Sequence, residues 1–312
     1  MKIVKLVERY LLLALSFDFS FYMNKLRVIN QDFKIVFYFG LFLIIISTFS
    51  KNGFSQSEKL QFPNKASVNR EYIWSYWHDI RDIALSPKNL TKNQWLKVGI
   101  AVGTTGLLMS VDGDIQSIVQ KSKTTSLNNF SKNFVEPFGN IHLYRNYTLI
   151  SLGLLYLHGS FLHNEQTKKV AILGTKAFAL TGLLTHVPKF LFGRHTPGQF
   201  QTGAENPHFW SGPGFDYRSF FSGHTSVVFS VATIIASEYS NSSGTKILAY
   251  GIASLVGISR IYDNAHWASD VFLGACFGYA VGKIIYNANN WGIRLNPIVS
   301  QDFSGMKILY KI

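Results

Sequence analysis

Charge is scarce in this chain. Asp, Glu, Lys and Arg make up 15% of its 312 residues, against about 25% in an ordinary soluble domain. What charge there is leans basic, at +13, but no run of five or six Lys/Arg occurs, which argues against a nucleic-acid tail. A dispersed basic surface suits anionic lipid or phosphorylated molecules better. One cysteine, Cys276, excludes an internal disulfide, and it reads as a small core hydrophobe. Neither an HExxH pair nor a Cys/His cluster occurs, so no metal site is expected. Strict apolar/polar alternation is missing from the body of the chain, which excludes a β-sandwich or barrel there.

Long apolar runs are limited too. Residues 35–49 form an uncharged stretch, preceded by Lys25, Arg27 and Lys34 and followed by Gly53 and Ser55. Basic, apolar and small-residue segments in that order read as an export signal cleaved before Gln56; an uncleaved anchor is the rival reading, and Met23 is an alternative start. Residues 1–55 are therefore an N-terminal extension, and 56–94 a polar lead-in carrying Tyr72, Trp74, Tyr76 and Trp77. From Trp95 to about residue 290 the pattern becomes long apolar helices, near 95–111, 146–163, 168–190, 223–239, 244–261 and 266–287, separated by polar joints such as Asn241–Gly244. The fold class is all-α, a bundle of about six core helices, with a tail at 291–312 that reads as a short β-hairpin. The cleanly apolar stretches of the last three helices, about 12 to 16 residues each, suit a buried core as well as membrane spans.

Three motifs fall at helix ends. Ser259-Arg260 is followed after five residues by His266 and after three more by Asp270. His266 and Asp270 are i,i+4 and share a helix face, so the carboxylate is expected to accept from one imidazole nitrogen and leave the other aimed outward, as a nucleophilic or basic histidine requires. Arg260 offers a planar fork to phosphate oxygens. Ser222-Gly223-His224-Thr225 opens an apolar helix, where unpaired backbone N–H groups and the positive dipole end suit an anion, and His224 can donate a proton to a leaving oxygen. Lys189 and Arg194 flank a helix exit before Thr196-Pro197. Antiparallel neighbours would bring all three motifs to one end of the bundle. The remaining histidines read as structural, and Asp112-Gly113-Asp114 as a helix-ending turn.

This pattern resembles the type 2 phosphatidic acid phosphatase superfamily, which includes acid phosphatases, lipid phosphatases and vanadium haloperoxidases. Its motifs are Lys-x6-Arg-Pro, Pro-Ser-Gly-His and Ser-Arg-x5-His-x3-Asp. The resemblance spans roughly Lys168 to Lys283. It implies that His266 is the nucleophile, Asp270 its orienting partner and His224 the general acid, with Lys189, Ser222, Gly223 and Arg260 holding phosphoryl oxygens. Phe221 replaces the motif proline and Thr196 the motif arginine; Arg194 or Arg218 is the expected substitute for the lost cation.

The implied activity is metal-independent and cofactor-free hydrolysis of phosphate monoesters or pyrophosphates, preferably of lipids, through a phosphohistidine. The alternatives are a soluble periplasmic acid phosphatase, a vanadium haloperoxidase and a non-catalytic anion-binding protein. The expected place is the cell envelope, membrane-associated or periplasmic, with the site facing outward. The expected partners are a phosphorylated substrate and the membrane, not nucleic acid. Lysines at the opposite pole (Lys168, Lys169, Lys246 and Lys283) would mark the cytoplasmic side.

Overall fold

A computed structural model describes residues 70–139, 146–200, 210–214, 218–290, 293–299 and 304–310. The export signal, its cleavage site and most of the 56–94 lead-in's first half lie outside the described residues. The elements are α1 (Arg70–Leu85), α2 (Lys92–Lys121), α3 (Thr125–Phe130), α4 (Glu136–Gly139), α5 (Tyr147–Phe161), α6 (Glu165–Leu184), α7 (His186–Phe192), α8 (Pro197–Phe200), α9 (Gly223–Glu238), α10 (Ser243–Tyr262) and α11 (Ala268–Asn290), followed by strands β1 (Ile293–Val299) and β2 (Ser304–Tyr310). The body is an all-α bundle. The two strands pair antiparallel, Ile293 opposite Tyr310 and Val299 opposite Ser304.

Helix starts follow local capping chemistry. Thr91 and Gln94 form a reciprocal capping box at α2, and Asn146, Asn164, Ser222 and Ser242 each accept from a backbone N–H three residues on, satisfying donors that have no carbonyl within the helix. α7 ends at Gly193, whose φ of 54° is costly for any residue bearing a Cβ. A side chain there would also collide with Ser211 and Gly212.

The closest packing is between α9 and α11. Gly274, Gly278 and Gly282 line one face of α11, against Ser222, Ser226 and Ser230 of α9. A methyl group at Gly274 or Gly282 would stand 2.7 Å from the carbonyl oxygens of Ser222 and Ser230, and one at Gly278 would be closer still to Ser226. Small residues four apart let two backbones approach at a distance larger side chains forbid. Around this pair, Leu173, Ala177, Leu180, Ile234, Val281 and Ile285 form one core cluster, while Val228, Ala232, Ala249, Ala253 and Val256 form another with Phe138 and Tyr147.

α2 resolves what apolar run length left open. It continues through Asp112-Gly113-Asp114, which lie within the helix rather than at a turn ending it. Its buried residues are Thr105, Asp112 and Gln116, whereas Trp95, Leu96, Ile100, Val102, Leu107 and Ile118 are exposed. A helix that is polar inward and apolar outward is built for lipid contact, because in water its outer face would be a large unsatisfied apolar surface. α2, the α6–α7 stretch Glu165–Phe192 and α11 are each long and apolar enough to cross a membrane. At 1.5 Å per residue α2 alone extends about 45 Å, more than a hydrocarbon core of about 30 Å. The bundle is membrane-associated.

Candidate active site

α6–α7 and α10 run toward the same pole, and α9 and α11 start from it, so the three motifs converge. Ser222 N–H donates to the Asp270 carbonyl (3.1 Å), and Trp267 Nε1 donates to the His195 carbonyl (2.8 Å). The His224 and His266 rings lie 6.3 Å apart, tilted by 58°. Lys189 Nζ sits 3.5 Å from where a Cβ on Gly223 would stand, so glycine leaves room for the ammonium over the first turn of α9. Ser222 caps that turn, its Oγ accepting from Thr225 N–H at 3.3 Å. The Gly223 and His224 amides fall in the turn where helical N–H groups have no intrahelical acceptor. Arg260 is 6% exposed and its Nη2 donates to Asp263 at 3.0 Å; Ser131 holds Asp263 from the other side.

His266 is oriented differently from the sequence-based expectation. Its Nδ1 lies 2.9 Å from the Ser219 carbonyl, which can only accept, so Nδ1 carries the proton and Nε2 keeps its lone pair. Asp270 does not bond the imidazole. Its carboxylate accepts from Ser219 Oγ at 2.5 Å, Arg194 Nη1 at 2.5 Å and Trp267 N–H at 3.3 Å. Asp270 therefore positions Ser219, and the Ser219 carbonyl positions His266. The i,i+4 spacing placed both groups near one another, but the ring reaches a backbone carbonyl contributed by the loop before α9. Burial, the nearby charges of Lys189, His224 and Arg260, in that order, push the His266 pKa well below the ordinary histidine value, and the Ser219 bond opposes them. These surroundings favour the neutral imidazole.

Arg194 is not a phosphate-facing substitute for the motif arginine. It is completely buried, with Nη1 on Asp270 and on Ser269 Oγ (2.8 Å) and Nη2 on Asp112 at 2.8 Å, and its guanidinium lies over the Trp210 and Trp267 rings at 5.2 and 5.5 Å. With both Nη atoms on buried carboxylates and no exposed surface, the fork is turned to Asp112 and Asp270 rather than to a ligand. Thr196, at the motif position, bonds Gln199 at the start of α8. Arg218 is exposed, and its charge acts on Lys189, which places it at the mouth. Trp210 packs with Phe192 and Phe220, ring centroids 5.8 and 5.2 Å away.

Sequence reading missed the contribution of α2. Asp112 accepts from Ser269 N–H at 3.0 Å as well as from Arg194. One turn on, Gln116 donates to the Ile261 carbonyl (3.1 Å) and to Asn264; a further turn on, Gln120 donates to the Tyr262 carbonyl (3.1 Å) and accepts from Asn264 Nδ2 at 3.0 Å. This stripe grips the loop that carries His266. Polar residues at i, i+4 and i+8 on an otherwise apolar helix were the available signal. Among the described residues no group of three His, Cys, Asp or Glu side chains is arranged to hold a metal ion.

Residues 171–294 match the model of the PAP2 superfamily. It is 36% identical over 119 residues to lipid A 1-phosphatase of Porphyromonas gingivalis, covering 38% of this chain and 23% of that protein. It is 34% identical over 82 residues to the probable diacylglycerol pyrophosphate phosphatase 1 of Schizosaccharomyces pombe, covering 22% of this chain and 29% of that protein. The matches thus span about a quarter of these relatives. Among solved structures, Aquifex aeolicus LpxE aligns over 55% of this chain and 92% of its own, at 24% identity and a TM-score of 0.42. The first transmembrane PAP2 type phosphatidylglycerolphosphate phosphatase from Bacillus subtilis aligns over 70% and 94%, at 18% identity and a TM-score of 0.43.

Proposed function

We propose that the protein is a membrane phosphatase that hydrolyses lipid phosphate monoesters or pyrophosphates in two displacements on His266. The observation that carries this reading is the Nδ1–H bond from His266 to the Ser219 carbonyl, which leaves Nε2 as a lone pair beside a set of cations. His266 Nε2 attacks phosphorus; the bond from phosphorus to the leaving oxygen breaks, and that oxygen takes a proton from His224. Water then attacks the phosphohistidine, His224 takes back the proton, and inorganic phosphate leaves. Lys189, Arg260 and the first-turn amides of α9 stabilise charge on the equatorial oxygens. The dianionic phosphate also offsets the positive field of Arg260 and Lys189 at His224, so His224 gains its proton as substrate binds.

A lipid substrate is supported by the lipid-facing surface of α2 and by the lipid phosphatases among the relatives. The active pole faces the periplasm or exterior, because the opposite pole carries Lys168, Lys169, Lys246 and Lys283. Phosphate release from dioleoyl phosphatidic acid and diacylglycerol pyrophosphate by the detergent-purified protein tests the reading. Activity is expected to persist in EDTA, fall under vanadate, and vanish in His266→Ala together with an acid-labile phosphoenzyme. Equal release by wild type and His266→Ala would leave an anion-binding role in its place; dependence on added Mg²⁺ or Zn²⁺ would remove the metal-independent mechanism.

A further inference from the structure

Below the histidine pair lies a cleft that the phosphoryl chemistry leaves unused. It is walled by α5, α9 and α10, with about 640 Å³ of space between atoms, part of it open to the surroundings. Leu152 and Leu155 of α5, Val228 and Ile235 of α9, and Ala249 and Ile252 of α10 form its sides. Its walls lack the several converging polar groups that orient a polar ligand.

Its direction relates it to the active pole. His224 and Val228 are four residues apart on α9, and Ala253, which also lines the cleft, is seven residues before Arg260 on α10. Each pair shares a helix face. The cleft thus starts about 6 Å below His224 and continues along α9 to Ile235 for roughly another 10 Å, parallel to the helix axes. Its wall residue nearest the histidine pair along α9 is Val228, one turn from His224.

Ser151 adds a second, independent observation. It lines the cleft, is 5% exposed, and its Oγ has no hydrogen-bond partner. The buried hydroxyls of Thr105, Ser226, Ser230 and Thr233 donate back to a carbonyl three or four residues earlier, whereas those of Ser151 and Thr181 make no such bond, and of these two only Ser151 lines the cleft. A buried hydroxyl left unpaired in an apolar wall is a group waiting for an acceptor. Ser151 lies one turn into α5, whose first residues are at the active-pole end.

Building on the lipid phosphatase reading, we propose that this cleft holds one acyl chain of the substrate, with Ser151 Oγ–H donating to the ester carbonyl that joins the chain to its backbone. The phosphate end stays in the cationic site, and the hydrocarbon follows the α9 face toward the bilayer interior. An acyl chain satisfies both features at once, being one acceptor followed by a long apolar tail.

The wild-type protein, in detergent, is first photolabelled with a phosphonate analogue of phosphatidic acid carrying a diazirine at mid-chain. Label is expected on α5, on 228–235 and on 245–253, and to be displaced by excess unlabelled dioleoyl phosphatidic acid; label confined to the outer face of α2 overturns the cleft. Second, Ala249→Trp is expected to raise KM at least tenfold more for dioleoyl phosphatidic acid than for dihexanoyl phosphatidic acid. Equal effects on both esters, or none, count against the proposal. Third, Ser151→Ala should erase a preference of wild type for ester-linked over ether-linked substrate; absence of that preference in wild type overturns the serine's role. Wild type that hydrolyses neither chain length refutes the phosphatase reading, and the labelling pattern then still decides whether the cleft takes a chain.

Discussion

Among the described residues two cations are completely buried, and they do different work. Arg194 sits at the active pole between Asp112 of α2 and Asp270 of α11. Lys176 sits midway along α6, 2.7 Å from Asp79 of α1, donating to Ser75 and lying over the Tyr72 and Tyr76 rings at 5.1 and 5.3 Å. The guanidinium is a rigid fork, so it fixes the angle between two carboxylates on two helices and, through Asp270 and Ser219, the tautomer of His266. The ammonium is a point charge that neutralises one carboxylate and fixes no angle. Lys176 docks α1 onto the bundle; Arg194 ties α2 to α11 beside His266. Both ion pairs lie where an unpaired charge would be expensive, so the difference is in what else hangs on the cation.

The sharpest way to break that comparison is Arg194→Leu. It leaves Asp112 and Asp270 buried without their cation, at about 3–5 kcal/mol for a broken buried pair, and releases Ser219. Thermal unfolding should show a large loss, and phosphate release should be abolished even at temperatures where the bundle survives.

Lys176→Met should destabilise by a similar 3–5 kcal/mol or so, because Asp79 is stranded, yet the folded fraction should turn over normally. Adding Asp79→Leu is expected to restore stability, to neutral or about 1–4 kcal/mol better. If the double variant regains stability but not kcat, Lys176 is coupled to the site and the contrast fails. No pair of apolar residues should rescue Arg194 and Asp112 in the same way.

Arg194→Lys keeps the charge but reaches one carboxylate. It should cost about 1.5–3 kcal/mol, the worth of one hydrogen bond to a charged group, with kcat falling more than KM rises. Gln116→Ala loosens the His266 loop for about 0.5–1.5 kcal/mol and should lower kcat modestly. The smallest effect is in pH. His266 has its folded pKa depressed, so as pH falls through about 6.5 the unfolded chain takes up a proton the folded chain refuses, and stability declines toward acid. Denaturation midpoints between pH 7 and 5 should show that slope. The acid limb of kcat/KM should also lie below the ordinary histidine value; a limb at 6.5 or above would mean His266 is not held neutral.

The motif spacing made the convergence of three helix ends readable in the sequence. His266, His224, Lys189, Ser222, Gly223 and Arg260 lie at helix ends whose order along the chain places them at one pole, and antiparallel packing requires only short connections. Arg194 was misjudged because a sequence shows how near it stands to Lys189, not that Asp112, from 82 positions earlier, has already taken its guanidinium. Asp112 itself was read as part of a turn because Gly113 follows it, and lipid-facing packing carries the helix through that glycine.

What the sequence by itself determined was local. The helical period, the caps at Asn146, Asn164, Ser222 and Ser242, the scarcity of charge and the spacing of the histidine motif all depend on residues within a few turns of one another. Only the tertiary structure decided which acceptor His266 uses, which carboxylates neutralise Arg194 and Lys176, and which face of α2 meets lipid. Those outcomes depend on backbone approaches set by the Gly274–Gly278–Gly282 ladder against α9, and on competition among buried polar groups for few partners. No local pattern encodes the result of that competition, because each group's best partner is defined only once its alternatives have been packed away.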